Sequence, residues 1–276
     1  MTDAAGSSPL AAPNPGRLGR GTPGRWGNAA FLVSFVLLVA GWQLSGLFLN
    51  SIFISTPAAV AGDFAEILLN GKLADAFLGS AFEMGIGVLV ASVVGIGLGV
   101  VMGRSRTAER TFEPIVNFAN ATPTIALLPL MEIWFGLGVA ARVAFIVIIC
   151  IWTLLINTLT GIKNVSGGYR DVARSFGLTP LRATRLVYLP AAMPFILAGL
   201  RIAFAQAAVG MILSGQEVGE SGLGGLTMEY ATFYQTGHLV AAILASTGLA
   251  MLAFAGLRLY QSKRQPWIAA SAAGRR

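Results

Sequence analysis

The chain has 276 residues, 55% hydrophobic and 11% charged, with a formal net charge of +7 and a mean hydropathy of +0.72. Soluble domains carry about 25% charged residues, so this chain has too little charge to coat a globular surface. Its apolar residues instead come in blocks of about 20, enough to cross roughly 30 Å of hydrocarbon as helices, which excludes a soluble enzyme, a coiled coil and a disordered tail protein.

Residues 1–28 hold four Pro and six Gly among few apolar side chains, so burial cannot offset the entropy of ordering and a disordered tail is expected. Arg17, Arg20 and Arg25 then precede the apolar run Ala29 to Leu49. The run is too long for a secretory leader and reads as an uncleaved first span. Thr56-Pro57 followed by Val60, Phe64, Ile67 and Leu68 is an N-cap, a proline at N1 and a helical stripe, so a short amphipathic helix is predicted, ending at Gly71.

Further apolar blocks lie at 78–103, 113–135, 139–160, 191–214 and 237–260. The fold class predicted is all-α, a polytopic membrane bundle of about six transmembrane helices. In the second block Gly87, Ala91, Gly95, Gly99 and Gly103 recur every four residues, a stripe that lets a neighbouring backbone approach closely. Pro123 and Pro129 interrupt the third block, which is predicted to kink or break.

Sixteen of the nineteen Lys and Arg fall on one side of this six-span layout, Lys72 and Arg142 on the other, and Arg201 within a span. Both termini are therefore expected to be cytoplasmic. Residues 29–262 form the transmembrane domain in this reading and 263–276 a second cytoplasmic tail. The long cytoplasmic loop, 161–190, should hold a polar helix near Tyr169 to Phe176 that stops at Gly177, and another that starts at Thr179-Pro180.

The spans hold few titratable groups. One cysteine, Cys150, and one histidine, His238, exclude a disulfide framework and a multi-ligand Cys/His metal site. No GxxxxGK[ST] is present, so no phosphate-cradling loop for ATP is expected. A charge near the bilayer centre costs on the order of 3 kcal/mol on insertion scales, which singles out Glu83, Glu132 and Arg201. Glu83 is read as a structural ion pair or a snorkelling group, and Glu132 with Arg201 as a candidate pair or polar pathway. The connection holding Glu217, Glu220 and Glu229 with four glycines is read as a solvated outer turn.

Within the long loop, Asp171-Val172-Ala173, three residues, Gly177, nine residues and Val187-Tyr188-Leu189-Pro190 resemble the EAA loop (EAA, x3, G, x9, I-x-LP) of ABC importer inner-membrane permeases. The spacing matches throughout, with Asp for Glu and Val for Ala and Ile. Thr56-Pro57-Ala58-Ala59-Val60, Gly103-Arg104-Ser105, Leu127-Leu128-Pro129-Leu130, Trp134-Phe135-Gly136, Ala198-Gly199-Leu200-Arg201 and Ser221-Gly222-Leu223-Gly224 extend the likeness, which is to the branch serving sulfonate, taurine, nitrate or bicarbonate uptake.

The resemblance implies a pore-forming subunit in the inner membrane. It would be paired with a second permease chain, expected to be identical, with ATP-binding cassette ATPase subunits and with an extracytoplasmic solute-binding protein. It implies an ATPase-coupling loop at Asp171, Ala173, Arg174, Ser175, Gly177, Leu189 and Pro190; the candidate translocation pathway of such a pore comprises Thr122, Pro123, Glu132, Arg201 and Glu217. No cofactor, metal or nucleic acid is expected on this chain, ATP being bound by the partner. Relatives have an apolar residue where Glu132 stands, and a carboxylate in the pathway repels a small inorganic anion. A proton-coupled transporter working alone, with Glu83, Glu132 and Arg201 as its relay, is the rival reading; a membrane-embedded enzyme is a second.

Overall fold

A computed structural model describes residues 25–48, 53–218 and 221–264, and all regular structure among them is helical. Helix α1 spans Arg25–Phe48, α2 Pro57–Leu69, α3 Lys72–Arg104 and α4 Arg106–Ala121; a 3-10 turn at Thr124–Leu127 leads into α5, Leu128–Phe135. Then follow α6 at Val139–Lys163, α7 at Gly167–Ser175, α8 at Pro180–Ala183, a π-helical turn at Thr184–Tyr188, α9 at Leu189–Glu217, α10 at Gly222–Thr232 and α11 at Thr236–Arg264. The expected tails at 1–28 and 263–276 lie largely outside the described residues, although α1 already begins at Arg25.

Among the described residues, four helical segments are long and apolar enough to cross a membrane: Lys72–Arg104, Val139–Lys163, Pro180–Glu217 and Thr236–Leu259. Two others, Ala30–Gly46 and Thr124–Phe135, are apolar but shorter. The third predicted span is thus broken. Helix α4 ends at Thr122-Pro123, because proline removes a backbone donor and pushes the preceding residue out of the helical region. The chain then restarts as the 3-10 turn and the eight-residue α5.

The core of the bundle is the pair α3 and α6, and its register repeats. Glu83 meets Arg142, 59 positions on, and at the same offset Gly87 faces Ile146, Gly95 faces Leu154, Gly99 faces Thr158 and Gly103 faces Ile162. Two parallel helices therefore touch along the small-residue stripe at every fourth residue. A Cβ on Gly99 would stand 2.8 Å from the Leu155 carbonyl oxygen and 2.7 Å from the Thr158 Cβ, so the close approach leaves no room for a side chain. Gly99→Val is expected to force the helices apart and lower stability by about 1–3 kcal/mol, measured by thermal unfolding in detergent. Gly97→Ala, where nothing lies within 4 Å of the added Cβ, should leave the melting point unchanged.

Helix α9 packs antiparallel on α6. A Cβ on Gly161 would meet that of Phe195 at 2.8 Å and one on Gly199 that of Asn157 at 2.7 Å, while further along Gly210 faces Ile149. The buried Cys150 thiol donates to the Ala203 carbonyl at 3.2 Å, as a small core residue.

Within the segment predicted as a solvated turn, the described residues from Gly222 onward form helix α10, and its inner face is buried. Leu223, Gly224, Gly225, Leu226, Thr227 and Tyr230 of α10 are all within the core. A Cβ on Gly224 would stand 2.3 Å from the Ile212 carbonyl oxygen, so the glycines that suggested a flexible loop serve close packing of α10 on α9. Gly222, at φ +67, turns the chain into α10, and the Leu223 amide donates to Ser80 Oγ at 2.9 Å.

At the same end, α2 forms as predicted, with Thr56 accepting from the Ala59 amide and Pro57 at its start. It buries Val60 and Ile67, while Leu68 remains exposed. His238 stands between Asp63 at 3.6 Å and Glu66 at 3.7 Å. Its ring lies 5.1 Å from that of Tyr230, whose phenol is pushed up from its ordinary pKa chiefly by burial. One ligand atom from each of Asp63, Glu66 and His238 lies within 4.8 Å of the others, a grouping that counting Cys and His alone does not reveal.

Candidate functional site

The residues of the EAA-like motif lie at the end of the bundle opposite α2, on a helix, a turn and a helix. Helix α7 stops because Gly177 adopts φ +61. Its amide donates to the Arg174 carbonyl at 2.9 Å and the Leu178 amide donates to Ala173 at 3.1 Å, the two bonds of a Schellman cap. Thr179 then caps α8, accepting from the Arg182 amide, with Pro180 as the first helical residue. Each device was readable in the sequence, because caps act within a few residues.

Ala173 of α7 is buried against the bundle, whereas Asp171, Arg174, Ser175 and Gly177 are exposed. Exposed beside them are Tyr169 at 59%, Val172 at 52% and Phe176 at 78%, at positions i, i+3 and i+7 on one face of the helix. An apolar stripe left open on a polar helix is the mark of a surface that docks on something else. Leu189 is half-buried and Pro190 exposed at the start of α9, with the π-helical turn separating them from α8.

The candidate pathway residues are not brought together. Thr122 ends α4 with its hydroxyl donating to the Phe118 carbonyl at 2.9 Å, and Pro123 is exposed beside it. Glu132 is half-buried in α5, and Glu217 is exposed at the last position of α9. Arg201 does not pair with Glu132. Its guanidinium donates from Nε to Gln261 Oε1 of α11 at 3.1 Å. Gln261 lies past the end of the last predicted span, which is why composition did not suggest it. The double swap Glu132→Arg with Arg201→Glu is therefore expected to be at least as impaired in uptake as either single change. Recovery of uptake in the double variant would restore the pairing.

The interaction that sequence reading missed is the partner of Glu83. Arg142 donates from Nη2 to Glu83 Oε1 at 2.7 Å, from Nε to both carboxylate oxygens, and from Nη1 to the Val218 carbonyl at 2.8 Å. The two side chains are 5% and 6% exposed. This ties α3, α6 and the end of α9 at one point. Arg142 was expected in a connection, and the available signal was the four-residue stripe itself, which extends back from Gly87 to Glu83.

Comparison with known proteins decides what this arrangement belongs to. Residues 91–265 match the family of binding-protein-dependent transport system inner membrane components. The chain belongs to this family. It is an importer-type ABC transporter permease of the inner membrane, which crosses the bilayer several times. The permease is 27% identical over 252 residues to the putative aliphatic sulfonates transport permease SsuC of Bacillus subtilis, covering 90% of this chain and 91% of that one. It is 30% identical to the SsuC of Escherichia coli over 83% of this chain and 88% of that one. It is 29% identical to the taurine transport permease TauC of the same organism, over 84% and 86%. Among solved structures, an inward-facing MetNI methionine ABC transporter matches with TM-score 0.56 and 21% identity, over 67% of this chain and 93% of that chain. At that identity the likeness is one of fold.

Proposed function

We propose that this permease is the pore of an ATP-driven importer, and that α7 and α8 couple it to a separate ATPase subunit that binds and hydrolyses the ATP. The observation that carries this reading is the Tyr169, Val172 and Phe176 stripe, held at a fixed angle by the Gly177 cap within the motif of Asp171, Ala173 and Gly177. A cleft in an ATPase would cover the stripe, with Asp171 and Ser175 at its polar rim. The π-helical turn joins the docked helices to Leu189 and Pro190, so displacement of α7 and α8 is delivered to α9 and from there to α6. Two arrangements of the spans, biased by nucleotide in the partner, would open the pathway to either side in turn.

The charge distribution supports placing α7 and both termini in the cytoplasm. Six crossings follow if α1 and the broken α4 to α5 segment also traverse the bilayer, the latter covered by a second, identical permease chain. An extracytoplasmic solute-binding protein would deliver the solute to the α2 side. The SsuC and TauC relatives favour a small sulfonate-like anion or related organic compound, with Thr122, Pro123, Glu132, Arg201 and Glu217 on its way. The relay that a lone proton-coupled transporter needs is not assembled among the described residues, since Glu83 is held by Arg142 and Arg201 by Gln261.

The test is purification of the tagged chain from its native membrane in mild detergent, with mass spectrometry of what accompanies it. The expected result is an ATP-binding subunit at equal stoichiometry. A chain that purifies alone, from a preparation still active in uptake, would overturn the coupling role.

A further inference from the structure

Beside α7, the ends of α3, α4 and α6 form with α7, α8 and the π-helical turn a half-open cavity of about 590 Å³. Four cationic side chains line it, Arg104, Arg106, Lys163 and Arg174, and a single carboxylate, Glu109. That carboxylate is already engaged by Lys163. Among the described residues, Arg104, Arg106 and Arg174 enter no ion pair. The Arg104 guanidinium sits 4.0 Å from the centre of the Tyr188 ring, a cation–π contact that orients the group without consuming its hydrogen-bond donors.

Like charges converging on one cavity repel, and three guanidiniums without a carboxylate are matched best by an oxyanion such as a phosphate group. Arg104 closes the last turn of α3 and Lys163 that of α6, so the cavity opens at the depth where the spans leave the hydrocarbon and lipid phosphates lie. We propose that this cavity is a binding site for a phosphate group, held by Arg104, Arg106 and Arg174, with the Glu109 and Lys163 pair as its neutral side. The chemistry is shared by an anionic phospholipid headgroup and by soluble phosphate. Because Ala173 and Arg174 form part of the wall, an occupied site ties α7 to the end of α3 and favours one position of the coupling helix. That consequence rests on the coupling role proposed above; the binding itself does not.

The test uses the purified full-length chain, with any subunits that accompany it, after delipidation. Bound lipid is counted by native mass spectrometry after incubation with phosphatidylglycerol or phosphatidylcholine, and competition is measured with inorganic phosphate against chloride at equal ionic strength. Phosphatidylglycerol is expected to be retained over phosphatidylcholine. Arg106→Gln should weaken retention about tenfold and Glu109→Gln should strengthen it about threefold, as a charge-assisted contact is lost or an opposing charge removed. Arg110→Gln, which removes the same charge just outside the cavity, should change nothing. Displacement by inorganic phosphate would assign the site to phosphate at large, and its absence to the lipid headgroup. Equal retention of both lipids with no effect of phosphate, or equal losses in the Arg106 and Arg110 variants, would overturn the proposal. The gain expected for Glu109→Gln cannot come from misfolding. The readout needs neither ATPase nor transport, so failure here and failure of the importer assembly are separate results.

Discussion

Replacing Gly177 with valine is expected to abolish most solute uptake, by about tenfold or more, while leaving membrane insertion and the bundle intact. Nothing lies within 4 Å of a Cβ added at this glycine, so the penalty is conformational rather than steric. At φ +61 a non-glycine residue costs roughly 1–2 kcal/mol, and a β-branched residue suffers most. That is enough to shift the turn to another conformation and lose the bonds from Gly177 to Arg174 and from Leu178 to Ala173. Helices α7 and α8 would then meet at a different angle, and the stripe of Tyr169, Val172 and Phe176 would no longer match a rigid partner. Uptake and ATPase stimulation by solute, measured in proteoliposomes, are the readouts. Gly177→Asn should recover much of the activity because asparagine tolerates this region. Wild-type uptake in the valine variant would remove the coupling role from this turn.

A larger effect on stability is expected at the buried ion pair. Arg142→Met strands the Glu83 carboxylate and the Val218 carbonyl in a buried site, and breaking such a pair costs about 3–5 kcal/mol. Thermal unfolding in detergent should show a strongly lowered melting point, or no folded protein at all. The double variant Glu83→Leu with Arg142→Met removes both charges and should regain most of the loss, because well-packed apolar replacements of buried pairs are often neutral. A double variant no better than the single one would mean that the bond from Arg142 to Val218, rather than the ion pair, holds the three helices together.

How far each feature could be read in advance follows the range of the forces that make it. Caps at Thr56, Gly177 and Thr179 depend on bonds that span no more than five positions, so short sequence windows carry them whole. The glycine stripe of α3 marked a packing face through its period alone. The break of the third span could be placed at Pro123 because proline acts on its immediate neighbours. By contrast, α10 looked like a solvated turn because glycines and carboxylates have that composition. Its burial depends on α9 and Ser80 being present to receive it, the latter 143 positions away.

The sequence alone determined the membrane character of the chain, the caps at Thr56, Gly177 and Thr179, the face by which α3 packs, and the motif whose resemblance pointed to the family. All of these rest on composition, local bonds or helical period. Only the tertiary structure decided which polar groups meet. Glu83 was paired with Arg142 rather than left to snorkel, Arg201 with Gln261 rather than Glu132, and His238 with Asp63 and Glu66. A buried charge takes whichever partner the helix register brings within about 3 Å in a medium of low polarity, and register is a property of two helices together.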